Sequence, residues 1–202
     1  MSRSSQTWSI VTGLTTIELE LYGKRIELLK ETLPTASRAA LLISHGNPTY
    51  GRDSAWARQV EVIGRSRGVR IDLIEAESTT MERVIAAAAA SGAQALLGAS
   101  DGVIVAARQE IADSAIRHKL PTVFSYRSNV VAGGLLSYSA KVEDMSRRAG
   151  VFVHRILLGA KPADLPIEQA TTFEMVVNQK TARILGIEIP ALIVAQANEV
   201  IE

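Results

Sequence analysis

Short apolar runs alternate with amphipathic stretches along this chain. Residues 38–44 (RAALLIS) are almost wholly apolar, which is typical of a parallel strand covered on both faces. Residues 53–68 open with an Asp-Ser pair suited to capping and close at a glycine, so they predict a helix. Residues 69–76 (VRIDLIEA) alternate as a strand does. Residues 79–92 carry a threonine cap, a run of alanines and a glycine stop, which predict a further helix.

The same alternation covers most of the chain. Further strands are predicted at 93–100, 120–126 and 135–139, and further helices at 18–34, 107–119 and 141–159. Strands that alternate with helices across short loops form a parallel sheet with helices on both faces. We therefore predict the α/β class, with a five-stranded, mainly parallel sheet within residues 38–139 between two helical layers.

The segment after Gly159 has a different composition, because it holds three of the six prolines. A strand is predicted at 171–178, followed by short helices at 179–186 and 191–202. A doubly wound domain does not need such an addition. We interpret residues 16–159 as one α/β lobe and residues 160–202 as a tail that packs elsewhere.

Composition and charge narrow the function classes. The 22 basic and 21 acidic residues are interspersed, so no basic face suggests nucleic acid. Cysteine is absent and the three histidines are scattered, which argues against thiol catalysis and metal clusters. No glycine signature for phosphate binding and no serine-nucleophile elbow occurs. We therefore expect a binding protein without a metal or cofactor rather than an enzyme.

Three polar, glycine-containing loops follow predicted strands, at 44–53, 99–105 and 125–134. In open parallel sheets, ligands bind beyond the carboxyl ends of the strands. Asp101 could accept a hydrogen bond from a ligand amine or cap the next helix. Asn47, which precedes a proline, could bind a ligand or shape a turn.

Two further positions in these loops have open interpretations. Tyr126 could stack on a ligand and Arg127 could pair with a carboxylate, or both could belong to an ordinary mixed surface. His45 could act as a base, but the sequence shows no evident partner for it. The loops thus support a binding site better than a reaction site.

A more specific pattern extends over the last third of the chain. It comprises SYRSNVVAGGLLSYS, then GAKPADLPIEQ, FEMVVNQKTARILGIEIP and the final NEVIE. The upstream segment VTGLTTIELELYGKRIELLKETLP fits the same pattern. Together these motifs resemble the ABC-transporter substrate-binding proteins of the family that includes tryptophan and tyrosine binders.

The resemblance implies two Rossmann-like lobes of a periplasmic-binding-protein-like fold, with a small organic ligand such as an amino acid held between them. This chain is similar to the second, three-layer lobe and the tail, without the first lobe; residues 1–15 then correspond to the end of the crossing between lobes. The implied ligand-binding residues are Asn47, Asp101, Tyr126, Arg127, Gly133 and Gly134, the glycines because they let backbone approach a ligand closely.

The resemblance also implies partners and location. It implies an ABC permease as partner and a periplasmic location, although the first residues lack the apolar core of a signal peptide, which would leave a full-length product in the cytoplasm. The alternative is a one-lobe sensor or interaction module that is not coupled to transport. Apolar residues in the tail predict a homodimer in which two tails cover each other.

Overall fold

The computed structural model describes residues 11–202. Their internal packing divides them into two compact units. The larger unit comprises residues 18–139 and 174–202, and the smaller unit comprises 11–17 and 140–173. The lobe boundaries that the sequence predicts at residues 16 and 160 stay predictions. Most of the predicted segment 1–15 lies outside the described residues.

The larger unit alternates strands and helices as the hydrophobic pattern predicts. In chain order its elements are α1 (Glu18–Thr32), β2 (Arg38–Ser44), α2 (Ala55–Ser66), β3 (Arg70–Ala76), α3 (Met81–Ala90), β4 (Leu96–Gly98), α4 (Gly102–Ala106), α5 (Arg108–Arg117), β5 (Thr122–Phe124), α6 (Arg127–Val131), β6 (Leu136–Ala140), β8 (Phe173–Asn178), α8 (Gln179–Leu185), α9 (Ala191–Gln196) and β9 (Glu199–Ile201). The last residue of β6, Ala140, and the first residue of β8, Phe173, are assigned to the smaller unit.

Seven strands form the main sheet in the order β3-β2-β4-β5-β6-β8-β9. The pairs β2–β3, β2–β4, β4–β5 and β5–β6 are all parallel. The prediction of a five-stranded parallel sheet within residues 38–139 is confirmed, and so is the α/β class. Because the strands are parallel, their carboxyl ends share one edge, where the polar loops predicted from the sequence begin.

Both faces of the sheet are buried, which explains the apolar strand sequences. Leu41 and Ile43 of β2 belong to a core cluster with Tyr22 of α1. Ala40 and Leu42 of the same strand belong to a second cluster, with helices α3 and α5. Alternate side chains of a strand point to opposite faces, so β2 contributes to both cores.

The structure corrects several local predictions. The loops 99–105 and 125–134 contain the short helices α4 and α6. The predicted helix 191–202 ends at Gln196, and residues 199–201 form β9, which pairs in parallel with β8. The side-chain oxygen of Asn198 accepts a hydrogen bond from the backbone nitrogen of Met175 at 2.8 Å, so pairing with a distant strand replaces the local helix.

The tail also packs differently from the prediction. Met175, Val177 and Ile193 are buried in the larger unit, in the same core cluster as Tyr22. The expectation that the apolar side chains of the tail lie uncovered is therefore wrong for these residues. The argument for a dimer formed by two tails fails with it.

The smaller unit contains β1 (Gly13–Thr15), α7 (Val142–Leu157), a 3-10 turn (Pro162–Asp164) and β7 (Ile167–Gln169). β1 and β7 pair in parallel, with Gly13 opposite Ile167. Arg148 of α7 donates two hydrogen bonds to the carboxylate of Glu168 on β7 and thereby lowers the pKa of that carboxyl. Among residues 11–202, no helix has the length and apolar character that a membrane span requires.

Glu82 on α3 ties that helix to the end of α5. Nε2 of His118 lies 3.0 Å from one oxygen of the Glu82 carboxylate, and Arg117 donates to the other oxygen. Hydrogen bonds from His118 and Arg117 lower the pKa of Glu82 to about 2. The contact therefore depends on the ionised form of this carboxyl.

Acid should weaken this tie. Because the pKa of Glu82 in the folded protein lies below the ordinary value of 4.5, its contribution to stability is complete above that value and is lost as the pH falls toward 2. We expect Glu82→Gln to flatten the dependence of the thermal midpoint on pH in this range. Glu110→Gln, at an exposed site on α5, is the control and should keep the wild-type slope. An unchanged slope in Glu82→Gln would show that the tie contributes nothing.

Candidate functional site

The carboxyl ends of β2, β4 and β5 carry a group of polar side chains. Ser44 ends β2, Ser100 and Asp101 follow β4, and Ser125 follows β5. The strands lie side by side in the order β2-β4-β5, so these residues meet at one edge of the sheet. We call this region the carboxyl-end site.

Asp101 is the most engaged residue of the carboxyl-end site. One carboxylate oxygen, Oδ2, accepts a hydrogen bond from the Ser44 hydroxyl at 2.6 Å and another from the side-chain amide of Asn47. The other oxygen accepts from the backbone nitrogen of Val103 at 2.7 Å and caps α4. Asp101 thus has the capping role that the sequence allowed, with its side chain largely buried. Its ligand role stays a prediction.

Asn47 shapes the loop after β2 while it contacts Asp101. Its side-chain oxygen accepts hydrogen bonds from the backbone nitrogens of Thr49 at 2.9 Å and Tyr50 at 3.2 Å. This is the turn geometry that asparagine favours before a proline. The structure therefore brings two of the predicted site residues, Asn47 and Asp101, into direct contact.

An ion pair between the buried Arg25 and the partly exposed Glu18 lies beside the carboxyl-end site. Nη1 of Arg25 donates to Oε1 of Glu18 at 2.9 Å, and Nε of Arg25 donates to the backbone oxygen of Tyr138 at 2.8 Å. The hydroxyl of Ser100 also donates to Glu18, and it lies 2.6 Å from the hydroxyl of Ser125. The Arg25 side chain is fully buried and its Nη2 has no hydrogen-bond partner among the described residues. The network joins the start of α1 to the ends of β4 and β5.

Aromatic rings adjoin these polar groups. Tyr50 and Tyr22 both pack edge-on against Trp56, with ring centroids 4.6 Å and 5.2 Å away. The Tyr22 hydroxyl donates to the backbone oxygen of Gly98 at 3.2 Å. Burial and then the negative charge of Glu18 raise the pKa values of Tyr50 and Tyr126, so both phenols stay neutral near this carboxylate.

Tyr126 and Arg127 have different surroundings. Tyr126 precedes α6 and is half-buried; burial and then the nearby charge of Glu18 raise the pKa of its phenol, which places it beside the carboxyl-end site. Arg127 makes two hydrogen bonds to the carboxylate of Glu199 on β9, at 2.5 Å and 2.7 Å. The sequence suggested that the Arg127 guanidinium could pair with the carboxylate of a ligand. In the structure, the carboxylate that it pairs with is that of Glu199.

The glycine pair has a structural explanation. Gly133 has a φ of +116°, which side chains rarely adopt. A Cβ on Gly134 would lie 2.8 Å from the backbone oxygen of Asn129 and 3.0 Å from the ring of Phe124. Both glycines are therefore needed for the turn before β6, and their proposed approach to a ligand stays a prediction.

His45 has a partner that the sequence did not reveal. Its Nδ1 lies 3.2 Å from a carboxylate oxygen of Glu75, and the ring is exposed. An open groove of about 550 Å³ at the ends of β2 and β3 is lined by His45, Ser44 and Glu77, among others. Within residues 11–202, no group of three or more histidine, aspartate or glutamate side chains is placed to hold a metal ion.

The larger unit is thus an α/β fold with polar side chains at the carboxyl edge of its sheet. The family described as ABC transporter substrate binding protein matches residues 2–201. The chain belongs to this family, which confirms the resemblance. Members of the family bind small-molecule solutes, work with ABC transporters, are normally not enzymes and are generally extracytoplasmic.

Solved structures support the fold. A protein from Streptococcus pneumonia in complex with L-Trp matches with a TM-score of 0.83 and 24% identity, over 95% of this chain and 65% of its own. A conserved domain protein from Vibrio cholerae matches with a TM-score of 0.83 and 21% identity, over 94% of this chain and 62% of its own. A substrate binding protein with adhesive properties from Clostridium difficile matches with a TM-score of 0.69 and 17% identity, over 95% of this chain and 62% of its own.

The chain thus spans less than two thirds of the length of these three structures. Comparison with curated proteins gave no match. At these identities, the structural matches establish the fold and leave the ligand open.

Sequence reasoning missed part of the site. Glu18, Arg25, Tyr50 and Trp56 were not among the predicted site residues. Glu18 and Arg25 lie seven positions apart on one predicted helix, which is two turns and the same face. An arginine on the apolar face of a helix, aligned with a glutamate, was the available signal for a buried pair.

Proposed function

We propose that this chain captures a small organic solute for an ABC import system and that the carboxyl-end site supplies ligand contacts. The observation that carries the proposal is the pair of hydrogen-bonded groups at this edge, one around Asp101 and the other around Glu18. Side chains from the ends of three strands and from α1 are fixed there beside half-buried aromatic rings. Convergent polar groups with aromatic neighbours are the usual composition of a small-molecule site.

The charges of this site favour a ligand with an ammonium group. Glu18 and Arg25 neutralise each other as an ion pair, whereas the Asp101 carboxylate is bonded only to neutral donors and no cation pairs with it among the described residues. Arg127 is engaged by Glu199. An amino acid meets this requirement, and the structure from Streptococcus pneumonia contains L-Trp. Tyr50 and Tyr126 supply rings on which an organic group could stack.

The residues proposed to act on the ligand follow from these contacts. Asp101 would accept a hydrogen bond from the ligand amine, Asn47 would hold Asp101 and the loop in place, and Tyr126 would contact the organic group. Gly133 and Gly134 would set the course of the backbone after α6. Arg127 would hold β9 against the start of α6 through Glu199.

The wider role follows from the family. We infer a periplasmic location and an ABC permease as the receiving partner. The alternative of a one-lobe sensor or homodimeric interaction module that is not coupled to transport stays a prediction.

Ligand capture can be tested on the purified protein. Native mass spectrometry of the protein as purified would detect a retained solute, and titration calorimetry with amino acids, organic amines and sugars would rank the classes. We expect heat of binding with at least one ammonium compound. Binding of neutral sugars alone would contradict the ammonium assignment, and no binding to any class would contradict solute capture.

Asp101→Asn tests the charge without removing the helix cap, because asparagine caps helices as well as aspartate does. We expect a loss of about 1–3 kcal/mol in binding free energy, the usual effect of losing a charged hydrogen bond. Asp53→Asn changes an exposed carboxylate before α2 and is the matched control. Equal affinity in both variants, with unchanged thermal midpoints, would place the ammonium contact away from Asp101.

A further inference from the structure

Residues 45–54 join β2 to α2, and we call them the β2–α2 loop. The side-chain amide of Asn47 in this loop donates a hydrogen bond to Asp101. The ring of Tyr50 in the same loop packs edge-on against Trp56, with ring centroids 4.6 Å apart. No helix or strand forms within residues 45–54. The positions of these two side chains therefore depend on contacts between the loop and the rest of the fold.

The side chain of Arg52 connects this loop to β3. Its Nη2 donates a hydrogen bond to the backbone oxygen of Leu73 at 2.8 Å. β3 is an edge strand of the main sheet, and the backbone oxygen of Ala76 faces β2, because it accepts from the backbone nitrogen of His45 at 3.0 Å. Backbone groups alternate between the two edges of a strand, so the carbonyl of Leu73, three residues earlier, faces away from β2. Arg52 thus bonds to an acceptor that no described strand reaches.

The carboxylate of Glu75 adds two contacts, one toward each end of the loop. Its Oε1 accepts a hydrogen bond from the backbone nitrogen of Arg52 at 3.4 Å, and its Oε2 lies 3.2 Å from Nδ1 of His45. Glu75 follows Leu73 by two residues in β3, so both ends of the loop are attached to the same strand. A strand of the sheet holds binding side chains more precisely than a loop does alone.

We propose that Arg52 is a positioning residue of the solute site: by attaching the β2–α2 loop to β3, it holds Tyr50 in place before a solute binds. The proposal rests on the proposed function, because it takes Tyr50 as a ring against which the solute packs. A loop that is already ordered loses less conformational entropy on binding, which raises affinity. Arg52 itself acts through Tyr50 and does not touch the solute.

The fluorescence of Trp56 reports on Tyr50 without any ligand. The chain has two tryptophans, so a Trp8→Phe background leaves the half-buried Trp56 as the only one. In that background, Arg52→Ala should shift the emission to longer wavelength, because a displaced Tyr50 ring lets water reach the indole. Tyr50→Ala gives the emission when the ring is absent, and Arg52→Ala should approach it. Arg52→Lys should restore part of the original emission, since lysine keeps a charged donor for the Leu73 carbonyl.

Titration calorimetry with L-tryptophan, the solute in the structure from Streptococcus pneumonia, measures the consequence for binding. We expect Arg52→Ala to weaken binding by about 3- to 10-fold and Arg52→Lys to weaken it less. The thermal midpoint of Arg52→Ala should stay close to that of the wild type, because Arg52 is exposed. Arg65→Ala is the matched control, since Arg65 is an exposed arginine in the last turn of α2 that pairs with Glu61 on the same helix. It should leave emission and affinity unchanged.

Two results would overturn the proposal. Unchanged emission in Arg52→Ala would mean that other contacts hold Tyr50. Shifted emission with unchanged affinity for L-tryptophan would mean that the solute does not depend on the position of this ring. No heat with L-tryptophan in the wild type would instead contradict the proposed amino-acid solute, and the emission, which needs no ligand, would still decide whether Arg52 holds Tyr50.

Discussion

Replacing Arg25 with alanine should lower the free energy of unfolding by about 3–5 kcal/mol, the largest single effect that we expect in this protein. Arg25 is fully buried, and its guanidinium donates to Glu18 and to the backbone oxygen of Tyr138. Its guanidinium carbon also lies 4.7 Å from the centre of the Tyr22 ring. Alanine would remove these contacts, open a cavity and leave the Glu18 carboxylate without its cation.

Urea denaturation followed by circular dichroism measures this change. Lys24→Ala is the control, because Lys24 is the neighbouring cation on α1 and pairs with Glu27 at the surface, where such pairs contribute about 0–1 kcal/mol. Adding Glu18→Gln to Arg25→Ala should recover part of the loss, since it removes the unpaired charge. A loss in Arg25→Ala no larger than in Lys24→Ala would mean that the buried pair does not stabilise the fold.

Gly98→Ala should destabilise the protein by about 1–3 kcal/mol through overpacking. A Cβ at this position in β4 would lie 2.4 Å from Cδ1 and 2.7 Å from Cε1 of the Phe124 ring. Phe124 is itself buried in the second core cluster and cannot move into solvent without cost. The central strand would have to shift away from its neighbour β5, or the ring would have to leave its position.

The matched substitution is Gly102→Ala, where a Cβ would have no atom within 4 Å, and it should have little effect or stabilise α4 slightly. In a Phe124→Leu background, Gly98→Ala should cost less than in the wild type, because a smaller side chain leaves room for the methyl group. Thermal and chemical denaturation of the four variants gives the coupling directly. Equal costs of Gly98→Ala in both backgrounds would rule out the ring contact as the cause.

The sequence predicts the main elements well because each satisfies a local rule. The strand at residues 38–44 is apolar throughout because both of its faces are buried, and the helix at 79–92 has good helix formers and a glycine stop. These signals are contained within each segment. They suffice for the five parallel strands of the larger unit.

The errors occur where distant contacts decide the structure. β1 and β7 are only three residues long and lie more than 150 positions apart, so neither has a periodic pattern of its own. Residues 199–201 continue a helical pattern, but parallel pairing with β8 makes them a strand. The helices α4 and α6 have five residues each, too few to show a helical repeat within a glycine-containing loop.

The residues of the candidate site show the same contrast between local signals and contacts with distant residues. Asn47, Asp101 and Tyr126 could be found because they follow predicted strands, and the ends of parallel strands meet. The residues that form hydrogen bonds with these site residues could not be found from the sequence. Nothing local in the sequence indicates that Glu18 reaches Ser100, which is 82 positions away, or that Glu199 occupies Arg127.

The strand β9 determines how this protein tolerates changes near residue 202. Residues 199–201 cover the hydrogen-bonding edge of β8, and Arg127 clamps Glu199 from α6. Deletion of residues 199–201 would uncover β8, whose backbone could then pair with strands of other molecules. The mass of a recombinant preparation should therefore be checked for loss of residues 199–201, because that loss would favour aggregation.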